Sequence, residues 1–545
     1  MKNRIKIHEG NTGILYFENG EKFIPSYDVD KAREIALEIL NVSNSEGKKV
    51  RDLFHYDGFN WASVILSDLC WSLCYHFTLY SELYRKYHDD QPIIEYRTNQ
   101  FSGGRFSSIY SLIYGEDSIL LEKKVETKKQ LIRSSLINNI NRIIYWRPGV
   151  RTFIKTQILK KFGRTMMIKN NNELLENEES RIGAYYAGKI IFDVMIPNNF
   201  RTSYIEELLE ELNVGWTNTP VQIPKIYKTS NNMFNYNYDL SSFKYDQLLY
   251  QFVKKSLKKI EEIISQSIFS YEKHKEIISK HRPKLFLSMD EANSHVFPLL
   301  YACKKFNILT LAFQHAYYSK RRFECSHLGL NNFEFDWFDK VLVWGDYWKQ
   351  KLRENNNLFK TKVITFSNRN KTYDYQDLDM NKVMKSSLNI LFPYEFLADS
   401  FEIGRYINKC IELGHSIYFK WRPDEILEDQ LAAYHIDLKN INKISIILDL
   451  DEKIIRKIDA VMGAQTSILY ELLPYKIPIF IPEQKYKLID DMIDEGLAQR
   501  LKYNQLEKLP KLVYDYKYRG REPEYYFSNL NLKEALNSLL SPYSN

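Results

Sequence analysis

From Lys284 to Pro482 short apolar runs alternate with amphipathic stretches of helical length, and no other feature limits the possible folds as strongly. The runs are KLFLSM, ILTLAF, KVLV, TKVITF, LNILFP, SIYFK, ISIIL, IDAVM and IPIFIP. Between several of them lie stretches such as HVFPLLYACKKFN, DYWKQKLRE and EIGRYINKCIELG. Runs this short, apolar on both faces and separated by helices, belong to parallel sheets covered on both sides, with right-handed crossovers. A polar link near Phe333–Lys340 divides the series in two. The expected fold is therefore α/β, with two Rossmann-like parallel-sheet domains facing each other across a cleft. The expected domains are 1–335 and 336–545.

The first part of the chain departs from this rhythm. Strand-like IKIHEG and GILYFENG precede a helical pattern through DVDKAREIALEILNV. An aromatic helix is expected from Asn60 to Lys86, apolar on most sides as in a buried core. The run from Thr127 to Asn172 holds no acidic residue, and its Lys and Arg alternate with apolar residues. Two readings stand for 127–172: an element that docks on anionic lipid, or the solvated face of a core helix pair. The region of about 60–175 is thus an α-rich elaboration of the first domain. Further on, AGKIIFDVMI reads as a strand, the Tyr/Asn-rich TSNNMFNYNYDLSSF as a loop, and Gln247–Lys280 as a long helix broken by His281-Arg282-Pro283.

Composition removes several classes. A net charge of +7, from 76 basic and 69 acidic residues that are interspersed, does not describe a nucleic-acid binder. Five scattered cysteines imply no disulfide framework, and Cys70 and Cys74, one helical turn apart beside Trp71 and Leu73, read as buried packing. The N-terminus has no apolar h-region and no run of 18 apolar residues occurs, so a cytoplasmic location is expected.

In open parallel sheets ligands bind beyond the carboxyl ends of the strands, and four such places carry suitable chemistry. After the strand ending at Val461-Met462, Gly463 makes a turn and Gln465, Thr466 and Ser467 open a helix. Free amides there suit a diphosphate, and Glu471 one turn later suits a ribose diol. An ordinary Thr/Ser cap with a surface Glu has the same pattern. Lys420 and Arg422 follow SIYFK, where cations neutralise phosphates. His315 follows ILTLAFQ, and Asp290-Glu291 follow KLFLSM; either place could supply a base for an acceptor hydroxyl. The ordinary alternatives are a structural imidazole and acidic residues opening a helix.

These four loops, in this order, resemble those of the GT-B glycosyltransferases of bacterial capsule, lipopolysaccharide and teichoic-acid assembly, a group that includes Kdo, polysialic acid and CDP-glycerol polymer transferases. Asp290-Glu291, a helix and Phe313-Gln314-His315 look like the group's carboxylate, helix and Q-H-G run. Val343-Trp344-Gly345 looks like the V-W-G that opens its second domain. Lys420–Pro423 resembles K-x-H-P, and Gly463–Glu471 resembles G-x-[ST]-S…E. Phe54-His55-Tyr56-Asp57-Gly58 with Trp61 is similar to an N-terminal Y-x-G…W patch of surface-carbohydrate proteins. Arg422 stands in place of His and Ala316 in place of Gly. The resemblance covers about Lys284–Pro482.

The resemblance implies a nucleotide-sugar transferase. The donor's diphosphate would meet Lys420, Arg422, Gly463, Gln465, Thr466 and Ser467, with Glu471 on the ribose. His315, Asp290 or Glu291 would take the acceptor's proton in an inverting reaction. Fixed donors and cations that receive the charge of the leaving diphosphate are the main contribution such a site makes. Metal-independent stabilisation of the leaving group is expected, with no metal and no cofactor. The expected partners are a nucleotide sugar, a glycan or lipid-linked glycan acceptor and, through 127–172, the anionic inner face of the cell membrane, with no nucleic acid. A nucleotide-sugar 2-epimerase on the same architecture is the competing enzyme. A non-catalytic polysaccharide- or partner-binding module is the competing class.

Overall fold

The computed structural model describes residues 29–65, 69–70, 73, 233–241, 243, 247–282, 285–288, 296–314, 316–319, 338–355, 363–365, 384–395, 400–421, 427, 431, 434, 436, 442–448, 450–484 and 487–528, together with seven outlying strands. Five of these strands form a separate sheet: β1 Arg4–Glu9, β2 Leu15–Phe17, β3 Lys22–Phe23, β4 Ile93–Arg97 and β5 Ile119–Glu122, in the order β3-β2-β1-β4-β5. β1 pairs antiparallel with β2 and parallel with β4, so this sheet is mixed. The sequence reading had placed short strands here but not a sheet distinct from the two parallel ones.

The first parallel sheet contains β6 Val194–Pro197, β7 Trp216–Thr219, β8 Leu285–Ser288, β9 Leu309–Phe313, β10 Lys340–Val343 and β11 Val363–Thr365, ordered β7-β6-β8-β9-β10-β11. All five of its pairings are parallel. The second contains β12 Asn389–Pro393, β13 Ser416–Lys420, β14 Ile444–Ile447, β15 Ala460–Met462, β16 Ile479–Pro482 and β17 Gln499–Leu501, ordered β14-β13-β12-β15-β16-β17. It too is parallel throughout. Two parallel six-stranded sheets are the α/β, Rossmann-like architecture that the strand–helix alternation leads one to expect.

The boundary falls later than expected. β10 pairs with β9 through Ala312↔Val341 and β11 pairs with β10, so Lys340–Thr365 completes the first sheet instead of opening the second. The polar link at 333–340 misled because a long polar connection is tolerated within a sheet as readily as between sheets. The change of sheet lies between Thr365 and Asn389.

Helix α1, Val29–Asn41, and the long α2, Gln247–His281, support the first half. At 35 residues α2 is roughly 50 Å long. It ends where Arg282 takes a left-handed φ of 38° and donates its N–H to Ile278 O, immediately before Pro283. Helix α3, Phe297–Lys305, packs on α2 and leads into β9; α4, Asp346–Asn355, follows β10, and α5, Ser400–Glu412, lies between β12 and β13. Instead of a helix starting at Asn60, the chain makes a tight hairpin and then a 3₁₀ turn at Trp61–Ile65, all five residues of which are buried. Cys70 is buried, as its packing role requires.

That hairpin is the place of the Y-x-G…W resemblance, and its residues act in packing. Tyr56 pairs with Phe59 across Asp57-Gly58, both with positive φ, the backbone that a two-residue turn of matching twist demands. Trp61 is fully buried, with its ring 4.9 Å from Tyr301 of α3 and 5.3 Å from Tyr271 of α2. The Asp57 carboxylate takes hydrogen bonds from Lys305, Tyr271 and Lys275, the last at 3.0 Å. Burial pushes this carboxyl up, and the three donors together outweigh it, holding the group well below the usual carboxylate range.

A carboxylate depressed in the fold stabilises above its unfolded value and loses that contribution as pH falls through the folded value. Wild type is expected to exceed Asp57→Asn in urea midpoint by a constant amount above about pH 4. The gap should narrow steadily at lower pH. A gap unchanged down to acid unfolding would show that the charge on Asp57 does not tie the hairpin to α2 and α3.

Candidate functional site at the strand-order reversal

In the second sheet the chain runs outward from β12 to β13 and β14, then returns to the other side of β12 and continues through β15, β16 and β17. The order is 3-2-1-4-5-6, so it reverses at β12 and β15, the place at which open parallel sheets bind ligands. Ile390↔Ala460 and Leu391↔Val461 are paired, so Pro393 and Gly463 are the residues at that point. Gly463 fits because it lacks a side chain: a Cβ there would lie 3.0 Å from Cγ of Pro393. Lys420 pairs with Pro393 on the next strand, about 10 Å from Gly463 at the usual strand spacing. The turn predicted as the donor loop and the predicted cation therefore stand at one edge, on either side of the end of β12.

Local geometry departs from the expected open helix start. Gln465 has a left-handed φ of 60°, and the helix α6 is the single turn Ile468–Glu471. A 3₁₀ turn at Leu473–Tyr475 containing Pro474 ends it. One turn sums few peptide dipoles, so the helix field expected from Thr466 onward is small. The turn is also covered: Gly463 is buried, and Gln465 and Thr466 are 2% and 4% exposed. Within the described structure these three residues shape the turn. Ser467 and Glu471 are half-buried, and the Ser467 hydroxyl donates to Glu471 Oε1 at 3.3 Å. Lys420 is half-buried, and its ammonium donates to the Trp421 carbonyl at 3.0 Å.

Arg422, His315, Asp290 and Glu291 lie outside the described residues, as does the whole basic segment 127–172. The strands that lead to His315 and to Asp290-Glu291 are neighbours, since Ser288 of β8 pairs with Ala312 of β9 in parallel. Gln314, from the Q-H-G resemblance, is structural. It is 2% exposed, its Oε1 accepts the Trp344 N–H at 3.0 Å, and its own carbonyl accepts the Trp344 indole N–H at 2.9 Å.

The sequence reading missed what brings the two carboxyl edges together. Tyr317, just past β9, stacks on Tyr470 of α6 with ring centroids 5.6 Å apart. Helix α4, Asp346–Asn355, follows β10 and places Trp348 4.8 Å and Tyr347 5.9 Å from the same Tyr470. Tyr347 donates its hydroxyl to Glu495 Oε2 at 2.7 Å, and Lys351 pairs with Glu495 and with Asp491. The chain then returns to the first half: α7, Pro523–Tyr526, packs on α4, where Tyr526 O accepts the Trp348 indole N–H at 3.1 Å. The clustering of Tyr and Trp in DYW, ILYE and PEYYF was the available signal. Strand periodicity does not report on it. Among the described residues no group of His, Cys, Asp and Glu could hold a metal ion, and no helix is long and apolar enough to cross a membrane.

No family model matches this chain. An uncharacterized protein of Methanocaldococcus jannaschii is 28% identical over 312 residues, which cover 56% of this chain and 54% of that relative. The chain thus spans about half the length of the curated relative it matches. The UDP-GlcNAc 2-epimerase of the same organism, solved with UDP-GlcNAc and UDP, overlaps with a TM-score of 0.37 at 13% identity, over 64% of this chain and 99% of that one. MurG of Acinetobacter baumannii overlaps with a TM-score of 0.35 at 9% identity, over 64% and 99%. The lipopolysaccharide outer core galactosyltransferase WaaB gives 0.34 at 12%, over 64% and 99%. These overlaps are partial, and the architecture described above rests on the sheet order and register.

The junction makes a strict demand on Gly345, the glycine of Val343-Trp344-Gly345. A Cβ there would lie 2.5 Å from the Tyr526 carbonyl carbon and oxygen, backbone that cannot swing aside. Gly345→Ala should destabilise by roughly 1–3 kcal/mol, the usual cost of overpacking. Urea unfolding reads this directly, and a midpoint equal to wild type would show that the return segment does not pack as described.

Proposed function

We propose that this chain is a glycosyltransferase that moves a sugar from a nucleotide-activated donor onto a growing bacterial surface polysaccharide or its lipid-linked precursor. The observation that carries the reading is the coincidence of the Gly463–Ser467 turn with the reversal of strand order in the second sheet, the point at which an open parallel sheet offers a crevice for a ligand. The donor's diphosphate would lie between the ends of β12 and β15. Lys420 and Arg422 would supply positive charge, and Ser467 and Glu471 hydroxyl and carboxylate groups for the phosphate and ribose. Stabilising the leaving diphosphate with fixed groups of this kind lowers the barrier without a change of geometry during reaction.

The acceptor would enter from the carboxyl edge of the first sheet, which Tyr317 brings to Tyr470. His315, Asp290 or Glu291 would take its proton if configuration inverts. Metal-independent chemistry is part of the proposal, as is peripheral contact of 127–172 with the anionic inner face of the membrane.

Thermal denaturation with UDP, GDP, CDP and CMP tests the central element. A nucleotide present at 100 times its Kd should stabilise the fold by about 2.7 kcal/mol. One base is expected to act, and Glu471→Ala or Lys420→Ala should abolish the shift. If none of the four raises the midpoint, the crevice does not take a nucleotide and the reading fails. With the matching nucleotide sugar, release of free nucleotide that depends on a glycan acceptor marks a transferase; a change of configuration in the sugar marks an epimerase and overturns the transferase assignment.

A further inference from the structure

Residues of the first half build the grip on the donor turn in the second. Tyr470 lies between Leu469 and Glu471 on the one-turn helix α6, which is too short to hold its own geometry in isolation. Its ring is fully buried. Three of the rings around it come from the carboxyl edge of the first sheet: Tyr317 at 5.6 Å, Tyr347 at 5.9 Å and Trp348 at 4.8 Å. Trp348 is itself fixed, fully buried, with its indole N–H on Tyr526 O and its ring 5.3 Å from Trp344. Trp344 in turn is held by Gln314 through two hydrogen bonds. A continuous packed path thus runs from the end of β9, through α4, to the residue adjoining Glu471.

We infer that Tyr470 is a positioning residue: by anchoring α6 in an aromatic socket supplied by the first half, it sets where Ser467 and Glu471 stand, and so couples nucleotide affinity in the second sheet to residues of the first. This rests on the proposed nucleotide site. Its chemistry is shape, not charge, so the phenol oxygen is dispensable and the ring is not. Loss of the ring frees α6 to shift, and the loss of one hydrogen bond to a charged group costs on the order of 10- to 100-fold in affinity.

The test uses the full chain and whichever of UDP, GDP, CDP or CMP stabilises wild type, with Kd measured by titration calorimetry below the unfolding range. Tyr470→Phe should bind as wild type, and Tyr470→Leu should bind at least about 10-fold more weakly while still folded by circular dichroism, as the loss of one hydrogen bond to a charged ligand predicts. Tyr317→Leu, which removes one wall of the socket and leaves α6 untouched, should weaken binding in the same direction and serves alone if Tyr470→Leu does not fold. Ile39→Ala, a fully buried site on α1, supplies a comparable loss of stability and should leave Kd unchanged. Wild type that binds none of the four nucleotides defeats the proposed site. Wild type that binds, with the folded Leu variants binding equally well or with Ile39→Ala weakened as much as they are, defeats the positioning role alone.

Discussion

The aromatic junction between the two parallel sheets is the contact on which the rest of the arrangement depends. Trp344, Tyr347, Trp348 and Tyr317 leave the first sheet at its carboxyl edge, and Tyr470, Tyr526 and Phe527 meet them from the second half. Rings of this size bury large apolar areas, and edge-to-face pairs add about 0.5–1.5 kcal/mol each beyond that burial. Two of the polar ends are tied down as well: the Tyr347 hydroxyl donates to Glu495, and the Trp348 indole N–H donates to Tyr526 O. Apolar bulk and directed hydrogen bonds together fix both distance and orientation.

From that junction the placement of the chemistry follows. In a doubly wound sheet ligands bind where the strand order reverses, which in the second half is at Pro393 and Gly463. The single turn that carries Ser467 and Glu471 owes its position to Tyr470 and therefore to the first half. This explains a departure from the sequence reading. A long helix aimed at a diphosphate would have supplied its own field; a four-residue turn covered by neighbouring rings supplies little, so side chains such as Lys420 and Glu471 carry more of the proposed binding. The hairpin at Asp57-Gly58 plays the corresponding part at the other end, joining the N-terminal region to α2 and α3 through one carboxylate and three donors.

Some elements were legible in the residues because their signals are local. The long helix was readable through Lys280, with His281-Arg282-Pro283 as its break, and the structure ends it one residue later, at His281. LTLAF, NILFP and IFIP are almost wholly buried, as continuous apolar runs between helices require. The change of sheet was not legible, because the polar stretch at 333–340 looks the same whether the strand after it joins the old sheet or a new one. Only the pairing of Ala312 with Val341 decides it. The start of the helix expected from Asn60 was misplaced for a related reason: WASVI has helical composition, but the hairpin before it and the rings of Tyr271 and Tyr301 select a buried 3₁₀ turn.

The residues alone determined the class of fold and the order of its candidate loops, because periodicity and glycine placement are properties of neighbours along the chain. They also marked Gly463, Lys420 and Glu471, since each lies at or just beyond a strand end that can be read directly. Tertiary structure decided which strands adjoin, where the strand order reverses, and that a buried tyrosine beside Glu471 is held by rings more than a hundred residues earlier. Those facts depend on packing between distant segments, and packing is set by shapes that meet only once the chain has folded.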